Sequence, residues 1–409
     1  MLSYQQAREM VIDRVRGVTF APAVEMVPLQ QALMRVLARG ICSDRDYPPF
    51  DRSIRDGYAV KAADTDAGKT LEVIGELKAG DSPSISVAHH TCIQIMTGAP
   101  LPDGADAVVM IEHTSRDGHA VQLRHAVKPG QHVVHRGSEQ AVGQTVLTAS
   151  TRMGFAEIAA AAQVGAAQVS VYRKPRIAIL STGDEVVDFA AMPGPFQIRN
   201  SNSVSLQAQV FLSGAEPVAL GNAKDSIEDL RAKISAGLEA DALILSGGVS
   251  MGKYDLVEPV LRELDAEIVF DAVAIRPGKP VVFALCKGKS FETPDKPVFG
   301  LPGNPVSTMV TFDLFVRPAI DILSGTAAGP LPFVGAVLNS RLSEKPGLTH
   351  FLPARLTWTA DAPRVSPIPW QGSGDVVAMA HANCLLVVPS NRETMEASEQ
   401  VHVVPRGLW

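Results

Sequence analysis

The sequence predicts a multidomain α/β protein, with a β-rich insert, a central open and mostly parallel α/β sheet, and a β-rich tail. Three observations predict it. First, residues 242–245, 176–180 and 297–300 are short unbroken apolar runs, the pattern of strands buried on both faces of a parallel sheet. Second, such runs alternate with capped helical patterns from residue 174 to residue 325. Third, residues 42–146 carry short alternating runs (71–74, 92–96, 107–111, 121–123) between Gly, Pro and Asp turns, which reads as a small all-β unit.

The chain starts with a helical pattern over 3–15 that Ser3 can cap, and a second over 28–37, with Pro28 suited to a first turn. Residues 151–164 read as helix again. The α/β segment then offers strands at 176–180, 217–220, 242–245, 268–273, 280–284 and 297–300. Its helices fall at 202–212, at 225–238, where Asp225 and Glu228 have capping-box spacing, and at 306–323. After a linker at 326–332, strands are expected near 334–338, 351–358 and 384–388.

Bulk properties exclude several classes. With 409 residues, 46% of them hydrophobic and 20% charged, the chain can bury about three cores. Cys42, Cys92, Cys286 and Cys384 form no CxxC pair, which suggests free thiols in a reducing cytoplasm. No apolar run reaches membrane-spanning length, and a net charge of −6 argues against bulk nucleic-acid binding. Gly68-Lys69-Thr70 lacks the upstream glycine of a P-loop, and Gly247, Gly248 and Gly252 do not have dinucleotide-fold spacing. The pairs His89-His90 and His132/His135 complete no four-ligand set, and no metal is assigned to them.

The chemistry concentrates where the buried runs end. Ser246-Gly247-Gly248-Val249-Ser250 follows one strand, Ser181-Thr182-Gly183-Asp184-Glu185 another, and Pro302-Gly303-Asn304 a third. Hydroxyls and glycine backbone at the carboxyl ends of parallel strands suit a phosphate. A turn needing glycine for geometry alone explains one such loop, but not three on one edge. Glu185, Asp225 and Asp255 each follow a strand on that edge, where carboxylates beside a phosphate hold Mg²⁺. Arg276-Pro277-Gly278-Lys279-Pro280 presents two cations to an oxyanion. Residues 48–60 mix Arg52, Arg55, Asp51, Asp56, Ser53 and Tyr58 after a rigid Pro-Pro.

Taken together, these motifs resemble one family. Asp51-x-Ser53-x-x-Asp56-Gly57-Tyr58-Ala59, Met96-Thr97-Gly98-Ala99-Pro100, the three strand-end loops, Pro277-Gly278-Lys279-Pro280 and Gly300-Leu301-Pro302-Gly303-Asn304-Pro305-Val306-Ser307 look like the signatures of the molybdopterin molybdenumtransferases. These are the bacterial MoeA proteins, the gephyrin E domain and its plant counterpart. The resemblance runs from the first helix to residues 371–389. It implies a cytoplasmic homodimer whose subunit has four domains: a molybdopterin-binding α/β domain (1–23 plus 174–325), a linking and dimerisation domain (24–43 plus 143–173), a β-rich domain (44–142) and a C-terminal β-barrel-like domain (326–409).

The resemblance also implies the reaction, in which adenylylated molybdopterin and molybdate give molybdenum cofactor and AMP with Mg²⁺. It implies transient contact with molybdopterin adenylyltransferase and molybdoenzyme apoproteins. By position, Asp56, Thr97, Glu185, Asp225 and Asp255 are the catalytic set, with Mg²⁺ on Asp255 and Glu185. Arg276, Lys279, Ser307, Arg355 and Ser373 are the molybdate side. Ser53, Arg55, Ser181, Thr182, Gly183, Asp184, Ser246, Gly247, Gly248, Ser250, Pro302, Gly303 and Asn304 are the remaining substrate-binding positions.

Three positions depart from the pattern. Ile54-Arg55 replaces Ala-Met, so Arg55 is expected to keep Asp56 ionised. His135-Arg136-Gly137-Ser138-Glu139-Gln140 replaces Arg-Arg-Gly-Glu-Asp, and Arg276 stands where lysine is common. A paralogue that binds the pterin as a carrier or scaffold, and a molybdopterin adenylyltransferase, are the alternatives.

Overall fold

A computed structural model describes residues 1–18, 22–249, 256–288 and 294–406. Helix α1 (Tyr4–Val18) is opened by a reciprocal cap: Gln6 N donates to Ser3 Oγ, and Ser3 N to Gln6 Oε1. Its stripe of Tyr4, Ala7, Val11 and Val15 is buried in the core of the α/β body, against residues far along the chain such as Phe315 and Ile320.

That body is a six-stranded sheet. Its strands are β1 (Arg176–Thr182), β2 (Glu216–Ala223), β3 (Ala242–Ser246), β4 (Glu267–Ala272), β5 (Pro280–Cys286) and β6 (Lys296–Leu301), in the order β2-β1-β3-β6-β5-β4. Strands β2, β1, β3 and β6 are parallel; β5 is antiparallel to both neighbours. All five residues of β3 are buried, as the unbroken apolar run required. One apolar cluster fills each face of the sheet, with Ile177, Ile179, Ile244 and Phe299 on one side and Ala178, Leu180, Leu243 and Leu245 on the other.

Between α1 and the body, the chain leaves and returns. Val24–Pro28 pairs antiparallel with Gln168–Tyr172, and Ile41–Cys42 with Thr145–Leu147, so these segments and α2 (Phe155–Gln163) share one small core. The helix expected over 28–37 is not formed. Pro28 ends a strand, Leu29–Gln31 makes one tight helical turn, and Met34 has φ 63°, which no α-helix accommodates. Leu29, Ala32, Val36 and Leu37 are buried instead through bridges from Val36 to Arg152 and from Leu37 to Val171. Leu33, which a helix would place on the same face, is 55% exposed, so the spacing recorded burial only in part, and pairing with distant segments decided the backbone. Thr151–Gly154 likewise precedes α2 rather than joining it.

The excursion carries a second six-stranded sheet, which includes Gly57–Val60, Thr70–Leu77, Thr91–Ile95 and Ala107–Met110 and has a core on each face. The tail strands β7 (Val334–Leu338), β8 (Thr349–Trp358), β9 (Pro363–Pro367), β10 (Cys384–Val388) and β11 (Gln400–Pro405) pair around a closed circuit, β8-β9-β7-β11-β10-β8, a five-stranded barrel. No helix among the described residues is long and apolar enough to cross a membrane.

Candidate functional site

Helices α3 (Ser201–Leu212), α4 (Ile227–Gly237), α5 (Val257–Glu263) and α6 (Pro305–Thr311) follow strands of the body. The ends of β1, β3 and β6 lie side by side and open into a cavity of about 750 Å³. Ser181, Thr182 and Gly183 line it from β1, Ser246, Gly247 and Gly248 from β3, and Pro302, Gly303 and Asn304 from β6. The loops are held against one another. Gly247 has φ 96°, its N–H donates to Leu301 O, and a Cβ on it would stand 2.9 Å from Thr182 Oγ1. Only glycine fits there.

Two asparagines that sequence reasoning missed organise this cavity. Asn200 caps α3 by accepting from Ser203 N, and its Oδ1 also accepts from the Ser181 hydroxyl at 3.2 Å. Asn202 donates from Nδ2 to Ser246 Oγ at 2.9 Å and to Gly303 O at 2.8 Å, tying two strand ends together. Its Oδ1 is buried and has no hydrogen-bond partner among the described residues. The polar run Asn200-Ser201-Asn202-Ser203 just before an apolar helix was the available signal. The amino end of α3 therefore faces the cavity, and its free backbone N–H groups suit an anion.

Glu185 and Asp225 line the same cavity. Asp225 does not cap α4: Ser226 does, accepting from Asp229 N, one position later than the expected box. Released from capping, Asp225 makes a reciprocal pair with Asp184, each backbone N–H donating to the other's carboxylate at 3.2–3.3 Å. Carboxylate oxygens beside a diphosphate-sized space are the hard donors that Mg²⁺ takes together with ligand phosphates. Among the described residues no three His, Cys, Asp or Glu side chains form a metal cluster, so phosphate oxygens and water would complete the shell. Asp255, Ser250 and Gly252 lie outside the described residues.

A second cavity of about 530 Å³ adjoins the first and shares Pro280, Pro302, Asn304 and Gly374 with it. Arg276, Lys279, Ser307 and Ser373 all line it, with Trp370 and Gln371. Gly278 has φ 101° and its Cβ would meet Thr311 Cγ2 at 2.6 Å, so the loop carrying both cations sits tightly on α6. Lys279 is exposed and makes no ion pair among the described residues. Helix α7 (Val376–His381) fixes the opposite wall. Asp375 accepts from Ala378 N and Gln371 N, bonds that hold its carboxyl below the usual range, and Val306 N donates to Ser373 O. Sequence reasoning missed Asp375. Arg355 is elsewhere: it donates to His381 O at 3.3 Å and lines neither cavity.

Asp56, Thr97, Ser53 and Arg55 belong to the β-rich sheet region and line neither cavity of their own chain. Asp56 Oδ1 accepts from Thr97 N at 2.7 Å and from Thr97 Oγ1 at 2.8 Å. These two bonds hold its carboxyl below the ordinary range. Thr97, not Arg55, is thus the source of its ionisation. Ser53 is buried and turned inward, donating from Oγ to Arg55 O and accepting from Arg55 N at 3.1 Å. The departures at 135–140 are accommodated by pairing: Arg52 reaches Glu139 at 2.7 Å, and Asp51 accepts from Arg136 N and lies 3.0 Å from His135 Nδ1.

Thiol chemistry has no place in either cavity. Burial pushes Cys92 and Cys384 up to about 12 and Cys286 up to about 11, and Cys42 lines neither cavity.

A mostly parallel sheet with paired cavities at its strand ends, carried with a β-rich insert and a closed barrel, defines a multidomain α/β protein with a two-part cavity at its sheet edge. Residues 2–165 match "MoeA N-terminal region (domain I and II)", 178–321 "Probable molybdopterin binding domain" and 335–405 "MoeA C-terminal region (domain IV)". The molybdopterin molybdenumtransferase of a Nostoc strain is 39% identical over 80% of this chain and 76% of its own length. That of Staphylococcus aureus is 32% identical over 94% of this chain and 91% of its own. A crystal structure of the Pyrococcus horikoshii molybdopterin biosynthesis moeA protein superposes with a TM-score of 0.76 at 33% identity, covering 98% of this chain and 99% of that one. The chain belongs to the MoeA family of molybdopterin molybdenumtransferases.

Proposed function

We propose that this chain inserts molybdenum into adenylylated molybdopterin, with molybdate as second substrate, and releases AMP. The observation that carries this reading is the pair of joined cavities with different chemistry. The larger, with its strand-end hydroxyls, glycine backbone and the amino end of α3, suits an extended phosphorylated ligand. The smaller, with Arg276 and Lys279, suits a compact oxyanion. Their shared wall brings the two ligands together, and proximity of two bound reactants is a large part of catalysis.

On this reading Ser246, Gly247, Gly248 and the α3 amino terminus hold the diphosphate. Asn202, by tying Ser246 to Gly303, keeps the two strand ends in place for the pterin nucleotide. Lys279 and Arg276 orient molybdate, and Ser307 and Ser373 donate hydroxyl hydrogens to its oxygens. Glu185 and Asp225, with Asp255 in the same role, would hold Mg²⁺, which supplies charge neutralisation for phosphoanhydride cleavage. Asp56 and Thr97 act on the bound substrates of a partner subunit in a homodimer, since neither of the two cavities described for their own chain includes them. The four free cysteines suit the cytoplasm. Delivery by an adenylyltransferase and acceptance by molybdoenzyme apoproteins follow from the substrate and the product.

The test is AMP release by purified protein given adenylylated molybdopterin and Mg²⁺, with and without molybdate. Molybdate-dependent release is expected. Release that ignores molybdate would mark a hydrolase, and tight binding with no release would mark a carrier.

A further inference from the structure

Arg276, on the short strand Ile275–Arg276, pairs in parallel register with His350 of β8, and the two side chains flank one carboxylate. Glu344 Oε2 lies 3.9 Å from Arg276 Nη1 and 3.1 Å from His350 Nδ1. The arginine side chain is half exposed in the smaller cavity, whereas that of His350 is 2% exposed. His350 Nε2 stands 3.0 Å from Lys345 O. A carbonyl only accepts, so Nε2 carries a hydrogen. Nδ1 is buried without an aligned hydrogen bond among the described residues, and its neighbour Glu344 has no donor to offer as a carboxylate. The contact is attractive only while a proton sits on Nδ1 or on Glu344. The other sides of His350 are accounted for. Lys345 meets it through its carbonyl, β10 opposes it with apolar Val388, and the ring of Tyr4 packs on the next residue, Phe351.

We propose that Glu344 and His350 are positioning residues that set the charge Arg276 presents to an oxyanion. With the proton in place, the three groups are net positive: His350 engages Glu344, and Arg276 faces the cavity unopposed. When the proton leaves to solvent, the three become neutral and the carboxylate turns to the guanidinium. Oxyanion capture is thereby coupled to proton uptake. The inference rests on the oxyanion reading of the smaller cavity.

The test is calorimetric titration of molybdate, with sulfate as comparison anion, from about pH 5 to about pH 8, the span in which histidine side chains in general change charge. Wild-type affinity falls as pH rises. Glu344→Gln tightens binding at the alkaline end by about two- to fivefold, the scale of a partly exposed ion pair, and flattens the profile. His350→Gln keeps a donor for Lys345 O but holds no extra proton, so it weakens binding by a similar factor at the acid end. The opposite signs are diagnostic, because a merely structural role makes both variants weaker. Should His350→Gln fail to fold, the sign and slope of Glu344→Gln decide alone. A Glu344→Gln profile that superimposes on wild type, or lies below it, overturns the proposal while leaving molybdate binding intact. Wild-type protein that binds no molybdate at any pH overturns the oxyanion reading itself, and this inference with it.

Discussion

Pro280, Pro302, Asn304 and Gly374 line both cavities, yet the chemistry on either side of that wall differs. The larger cavity is made mostly by backbone and short side chains at strand ends, with Glu185 and Arg199 also in its lining, cross-tied by Asn202 and packed so closely that Gly247 tolerates no Cβ. The smaller one is made by long cations on a Pro-Gly loop, and its far wall comes from the barrel region through residues 370–374. A rigid backbone surface selects an extended ligand by shape and hydrogen bonds. Flexible cations select a small anion by charge. Under the proposed function, one sheet edge serves two substrates because its two halves use different forces.

The strongest challenge to this comparison comes from a group outside both halves. Asp56→Asn keeps an acceptor for Thr97 while removing charge, so turnover should fall by about 100-fold with melting temperature nearly unchanged. Because Thr97 depresses the Asp56 carboxyl, its charge persists through neutral pH and is lost only as pH falls through that depressed value. The defect should therefore be constant from about pH 5 upward, relative to an ordinary aspartate near 4. Mixing Asp56→Asn chains with Lys279→Ala chains should restore part of the activity, as one composite site is then intact. No recovery on mixing, with dimers demonstrably exchanged, would place Asp56 in its own subunit's reaction or in none.

Lys279→Ala tests the division of labour directly. Molybdate binding should weaken by about 1.5–3 kcal/mol, roughly 10- to 150-fold, with adenylylated molybdopterin nearly unaffected. Equal losses would make Lys279 a diphosphate residue and dissolve the distinction. The reciprocal change is Asn202→Ala, expected to weaken the pterin nucleotide by about 1 kcal/mol, roughly fivefold, and leave molybdate alone. The smallest effect belongs to the shared wall. Asp375→Ala removes the bonds to Ala378 and Gln371, and should loosen both ligands by about two- to threefold, as expected for a lost cap. Since those bonds depress the Asp375 carboxyl, the same loosening should appear in wild type only as pH falls through its native value. A selective loss would mean that residues 371–375 serve one cavity rather than both.

How much of this was legible depended on the range of the interactions. The buried strands could be read because β3 and its neighbours are apolar on both faces, and the polarity that follows each of them marked the site. The capping of α4 was missed by one residue, because Ser226 and Asp225 are equally capable in isolation. The segment 28–37 was misread because its apolar spacing imitates a helix face although Leu33 is exposed, while the bridges of Val36 to Arg152 and Leu37 to Val171 set its backbone. Arg355 was placed by a loose pattern match, and the barrel turns it toward His381.

What the sequence determined by itself was local: which runs are strands, where glycine and hydroxyl residues stop them, and which loop holds two cations. Tertiary structure alone decided which distant groups meet. Trp370, Gln371 and Ser373 complete a cavity begun nearly a hundred residues earlier at Arg276, and Thr97 rather than adjacent Arg55 governs Asp56. The physical reason is that propensity and burial act over a few residues and leave a periodic trace. A hydrogen bond or an ion pair between remote segments exists only once the chain entropy of bringing them together has been overcome by the cores.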